Sequence, residues 1–82
     1  MKGGKIMFGN IKYFHHACQN VVDNKKLMVL KYAANYARYG LTIQDVEEAR
    51  VQAMYVLGNI AYWQGDIASE TRSCLRNFIK VT

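Results

Sequence analysis

Apolar residues recur along nearly the whole chain at steps of three and four, the spacing that lines one side of an α-helix. Four runs of this kind can be read in order. The first holds Ile11, Phe14, Cys18 and Val21, opened by Asn10 as an N-cap. Continuing its register reaches Lys25, whereas the next apolar set is Leu27, Leu30, Ala34 and Ala37. "VVDNKK" between them therefore reads as a turn, with Asp23 or Asn24 capping a second helix. A single bent helix over residues 10–39 is the alternative. Gly40 then suits the left-handed position that closes a helix.

The strongest local signal follows. In "LTIQDV", Thr42 fits an N-cap with Asp45 three residues on, and Leu41 and Val46 occupy the hydrophobic-staple positions. Asp45, Glu47 and Glu48 fall near a first turn, where the helix dipole favours anions. The spacing predicts a third helix over about residues 43–64, with Val46, Ala49, Ala53, Val56, Ile60 and Trp63 inward. Leu57 and Ala61 widen that stripe, and Val51, Met54, Tyr55 and Tyr62 populate the other faces, as expected of the most buried element. Gly58 inside it costs about 1 kcal/mol relative to Ala, a cost that close approach of a neighbouring helix would offset. Gly65 is read as the stop and Asp66 as the cap of a fourth helix, whose inner face is Ile67, Thr71, Cys74, Leu75, Phe78 and Ile79. The expectation is all-α: one small domain of three to four helices over residues 10–82, packed around the third, after a flexible segment 1–9.

"LGN" (Leu57, Gly58, Asn59) and "QGD" (Gln64, Gly65, Asp66) resemble the first helix and turn of a tetratricopeptide repeat. Tyr62 is displaced by one, and Glu70 and Asn77 stand where that repeat takes a small residue. No repeat period is visible along the chain, so the assignment is declined.

The 82 residues suffice for one domain, in which burial covers only about 60–65% of the unfolded chain's surface. Apolar content is 51%, slightly above the ~45–50% usual for soluble domains. The surplus implies either apolar surface that meets a partner or a tight, aromatic-rich monomer core. Charge is uneven: residues 1–40 carry seven cations against Asp23 alone, and residues 41–82 carry four against five acids. Such asymmetry attracts a polyanion or an acidic protein surface, or keeps a solvated face soluble. Two cysteines without a CxxC pair form no disulfide framework. "MKGGKIMFGN" lacks the apolar core of a signal peptide, and no segment is long enough to span a membrane. The expected location is cytoplasmic, without membrane association.

Candidate chemistry is sparse. His15, His16 and Cys18 ("HHAC") form the most reactive-looking cluster, with Cys74 as a distant addition, but a structural zinc site needs a second close pair. The simpler reading makes Cys18 a core residue and the histidines surface groups. Gly3, Gly4 and Lys5 lack the spacing of a phosphate loop. A helix-turn-helix reading around Gly40 would put Asp45, Glu47 and Glu48 against DNA phosphates, the wrong charge sign. The chain is accordingly read as a non-enzyme with no cofactor and no metal.

A basic-aromatic face remains. Lys31, Asn35 and Arg38 share one side of the second helix, bordered by Tyr32, Tyr36 and Tyr39. Basic residues beside aromatic rings suit nucleic acid, and Tyr and Arg equally mark protein-binding hot spots. Arg72, Arg76 and Lys80 make a second basic stripe. Val51, Tyr55 and Tyr62, with Gly58 allowing close approach, are the expected self-association positions, a homodimer being favoured over a monomer. The leading expectation is a stand-alone interaction protein, a regulator or inhibitor that docks on a larger protein or nucleoprotein, as accessory proteins of phages and mobile elements do. Direct nucleic-acid binding is the alternative, and a metal- or redox-responsive module on His15, Cys18 and Cys74 is the third reading.

Overall fold

The computed structural model describes residues 10–81; the segment 1–9, including Gly3, Gly4 and Lys5, lies outside them. The described chain is all-helical: α1 (Ile11–Asp23), a 3-10 turn (Met28–Leu30), α2 (Ala33–Gly40), α3 (Val46–Gly58) and α4 (Asp66–Val81). Helices α1 and α3 each pack on the other three, with α2 and α4 flanking them. One core joins all four, centred on Phe14, Leu30, Val56, Leu75 and Phe78. Phe14 of α1 and Phe78 of α4 stack at 5.5 Å between ring centroids.

The Asn10 side chain caps α1 as its sequence position predicts, accepting from the Lys12 N–H at 2.8 Å. The break in "VVDNKK" is also present, but Asn24 ends α1 rather than starting α2. Its side-chain amide donates to the Asn20 carbonyl at 2.8 Å, satisfying an orphan acceptor of the last turn. Leu27 then takes an extended backbone (φ −69, ψ 132), the chain re-enters helix only through the 3-10 turn, and α2 starts at Ala33. The bent-helix alternative falls with this. So does Leu27 as a core residue, because the extended backbone turns its side chain outward.

Helix α3 starts three residues later than expected. Its N-cap is Asp45, whose carboxylate accepts from the Glu48 N–H at 2.8 Å. Thr42 instead donates to the Tyr39 carbonyl at 2.7 Å, closing the end of α2. The staple positions move with the cap, which leaves Val46 exposed, and Ile43 fills the core in front of the helix. His15 donates from Nε2 to the Ile43 carbonyl at 2.7 Å and ties this loop to α1.

The predicted helix over 43–64 also ends early, at Gly58. Asn59 stops it with two bonds, its backbone N–H to the Val56 carbonyl (3.0 Å) and its side-chain amide to the Tyr55 carbonyl (2.7 Å). Ile60 and Trp63 are buried as their spacing implies, yet they reach the core from a loop. Arg72 holds that loop, donating from Nη1 to the carbonyls of Ile60 (3.0 Å) and Trp63 (2.7 Å). Helix α3 is not buried all round: Ala49, Gln52, Ala53 and Val56 face in, while Val51, Met54 and Tyr55 face water. Ile67 of α4 is likewise exposed.

Gly40 is the last residue of α2, as its stop position predicts, but it also takes the close-approach role expected of Gly58. A Cβ on Gly40 would lie 2.7 Å from Cys18 Sγ and 2.8 Å from Phe14 Cζ, so Gly40 is the site of close approach between α2 and α1. Its backbone is not left-handed. Around Gly58 a Cβ would meet nothing within 4 Å. Gly65 alone, among the described residues, has positive φ (+112). It opens α4, its carbonyl accepting from the Ser69 N–H at 3.0 Å, and Asp66 is the first helical residue rather than the cap.

Candidate partner-binding surface

Helix α2 is short, and its alanines decide how it sits. Ala33, Ala34 and Ala37 pack inward with Gly40, which forces Asn35, Tyr36, Arg38 and Tyr39 outward. Lys31 and Tyr32 precede the helix on the same exposed side, with the Lys31 ammonium 5.8 Å from the Tyr32 ring centroid. Arg38 donates to the Asn35 side-chain oxygen at 2.7 Å, a neutral acceptor that leaves the guanidinium charge uncompensated. All six predicted face residues are thus exposed and brought together.

Across from them stands α3. Gln52, nearly buried, donates from Nε2 to the Tyr36 carbonyl at 2.9 Å and fixes the two helices side by side. Above that bond the Tyr36 and Tyr55 rings stack at 5.7 Å with planes 17° apart. The pair remains in water, Tyr36 at 39% and Tyr55 at 54% exposure. The two surfaces separated in the sequence, one for a partner and one for self-association, therefore meet at this stack. Tyr39 adds a second tie between the helices, its hydroxyl donating to Glu48 Oε2 at 2.8 Å. That hydrogen bond, and then the carboxylate's charge, push the Tyr39 phenol above its ordinary value of 10.0.

Two sequence assignments need correction. Val51 and Tyr55 share an exposed side of α3, but Tyr62 lies beyond the helix in the following loop, and Gly58 abuts nothing. The self-association stripe is therefore shorter than its helical register implied. In the second basic stripe, Arg72 is spent on loop carbonyls, leaving Arg76 and Lys80 as exposed cations.

A groove of about 380 Å³ borders the α2 face, lined by Lys25, Lys26, Leu27, Met28, Lys31, Ala34 and Arg38. Sequence reasoning missed Lys25, Lys26 and Met28 by reading "VVDNKK" only as a turn, and it placed Leu27 in the core. The signal was the Lys-Lys step followed at once by "LMV", cations beside apolar residues in a break between helices.

The "HHAC" cluster disperses. His15 is engaged with Ile43, and His16 Nε2 lies 3.4 Å from the Glu70 carboxylate at the surface. The Cys18 thiol is fully buried and pushed up to about 12 by that burial. Burial, and then the charge of Glu70, also raise Cys74. Both shifts oppose the thiolate that metal binding or nucleophilic attack requires. Among the described residues no three His, Cys, Asp or Glu side chains converge as a metal site, and no helix is long and apolar enough to cross a membrane.

No protein-family model, curated protein or solved structure matches the chain.

Proposed function

We propose that the chain is a small helical interaction protein that docks on a larger protein or nucleoprotein through α2 and the adjoining side of α3, acting as a regulator or inhibitor by occupying its partner's surface. The observation that carries this reading is the solvent-exposed Tyr36–Tyr55 stack, held over a buried Gln52 hydrogen bond. Stacked tyrosines offer a large, rigid apolar area with polar tips, at little conformational cost on binding. Tyr32, Tyr39, Val51 and Met54 extend the exposed apolar area around them, and Arg38 supplies a charged rim. The reading places the protein in the cytoplasm and gives it no reaction of its own.

The test is affinity purification from the native host with identification of co-purifying proteins and nucleic acids. A partner retained by the wild-type chain after nuclease treatment is expected to be lost with a Lys31/Tyr36/Arg38 triple alanine variant. Full retention by that variant removes the face from the account. Direct nucleic-acid binding is the second reading, favoured by the four cations of the adjoining groove. It predicts affinity that falls steeply with salt, and a flatter salt slope in Lys31→Ala.

A further inference from the structure

We propose that the groove between the end of α1 and α2 takes an acidic amphipathic segment of a partner protein, its carboxylates meeting Lys25, Lys26, Lys31 and Arg38 and its apolar side chains meeting Leu27 and Met28. The inference rests on the docking reading above and names the chemistry of the partner. Four cations line the groove and no carboxylate does. Among the described residues none of the four is in an ion pair; the one such contact joins His16 and Glu70 elsewhere. Like charges gathered without counter-charges create a positive field that a negative segment relieves.

The apolar part of the lining decides which anion fits. The extended backbone at Leu27 and the 3-10 turn after it hold Leu27 and Met28 out toward solvent, Met28 at 85% exposure. Exposed methionine is flexible and polarizable, and adapts to apolar side chains of a bound peptide. A phosphate backbone gains nothing from either residue. Nor does the groove offer bases a platform: its lining holds no aromatic ring. An acidic segment with apolar residues at helical spacing satisfies both halves of the lining, as in other helix-in-groove complexes.

The probe is a fluorescent helix-forming peptide of about 15 residues with Leu on one face and Glu elsewhere. Its controls are the same peptide with Ser for Leu and an oligothymidylate of similar length. Binding to the full chain is read by anisotropy, with circular dichroism confirming that each variant is folded. The Leu/Glu peptide is expected to bind, about tenfold more weakly to Lys25→Glu/Lys26→Glu, and several-fold more weakly to the charge-neutral Met28→Ser. No binding, equal binding of the Ser control, or tighter binding of the oligothymidylate lost in the same lysine variant overturns the proposal. A host partner lost with Tyr36→Ala yet kept by Lys25→Glu/Lys26→Glu also overturns the groove, while leaving the docking reading intact.

Discussion

Among the described residues two aromatic pairs stack at nearly the same separation, and they have opposite relations to water. Phe14 and Phe78 lie 5.5 Å apart where α1 meets α4, wholly buried. Tyr36 and Tyr55 lie 5.7 Å apart where α2 meets α3, in solvent. Ring geometry therefore does not distinguish core from surface here. The environment does: the phenylalanines are fully buried in the core that also holds Cys18 and Leu75, while the tyrosines stay partly exposed beside the Gln52–Tyr36 hydrogen bond. The same contact stabilises the fold in one place and leaves apolar area available in the other.

The largest expected effect comes from truncating the inner pair. Phe78→Ala is expected to destabilise the chain by about 3–5 kcal/mol through lost burial and the cavity left behind. Tyr55→Ala is expected to remain within about 1 kcal/mol of wild type, since it removes only a partly exposed ring contact. Denaturant unfolding measures both. Equal losses would mean that the outer pair is core as well.

Glycines sharpen the same contrast. A methyl at Gly40 would collide with Phe14 and Cys18, both fully buried and unable to swing away. Gly40→Ala is expected to cost about 1–3 kcal/mol, less the roughly 0.5–1 kcal/mol gained from helical preference. At Gly58, where the space is open, Ala is expected to be neutral or slightly stabilising. A reversal of these signs would place the tight α1–α2 contact elsewhere.

The outer pair bears on assembly. Tyr55 is at once half of the stack and the centre of the expected self-association side, so a second copy and a docked partner would compete for it. Light scattering at micromolar concentration is expected to give about twice the 9.4 kDa of one chain, falling to one chain in Tyr55→Lys. A mass of one chain at every concentration would leave the stack to the partner alone.

Much of this arrangement was legible in the sequence, and the misreadings share a cause. Apolar spacing records burial, not helix: Ile60 and Trp63 keep a helical period but arrive from a loop, because Asn59 ends α3 and Arg72 secures the carbonyls beyond it. Capping residues were recognised as a class, but Asp45 lies as well placed as Thr42 in "LTIQDV", and only the backbone decides between them. Gly40 ends α2 and Gly65 takes positive φ at a helix boundary as their positions imply, but close approach falls at Gly40 rather than Gly58, since it belongs to tertiary structure. The α2 face was readable because four small residues on one side of a short helix leave the large ones nowhere to go but out. The groove beside it was not, because it forms only where the break folds against α2.

The smallest expected effect lies at the edge of the outer surface, where Tyr39 ties α2 to α3. Its hydroxyl donates to Glu48 at 2.8 Å, and the hydrogen bond and then the carboxylate's charge favour the protonated phenol over the phenolate. The folded-state value is therefore raised above the unfolded one. By linkage the contribution is fully present below about pH 10 and is lost as pH rises through the folded value. Solvent exposure keeps it small. Following phenolate absorbance with pH, Glu48→Gln is expected to lower the Tyr39 midpoint part of the way, since a neutral acceptor remains. Glu48→Ala is expected to lower it further, toward the ordinary tyrosine range. An unchanged midpoint in Glu48→Ala would show that the two side chains do not meet in solution, and that α2 is held to α3 at this edge by Gln52 and the tyrosine stack alone.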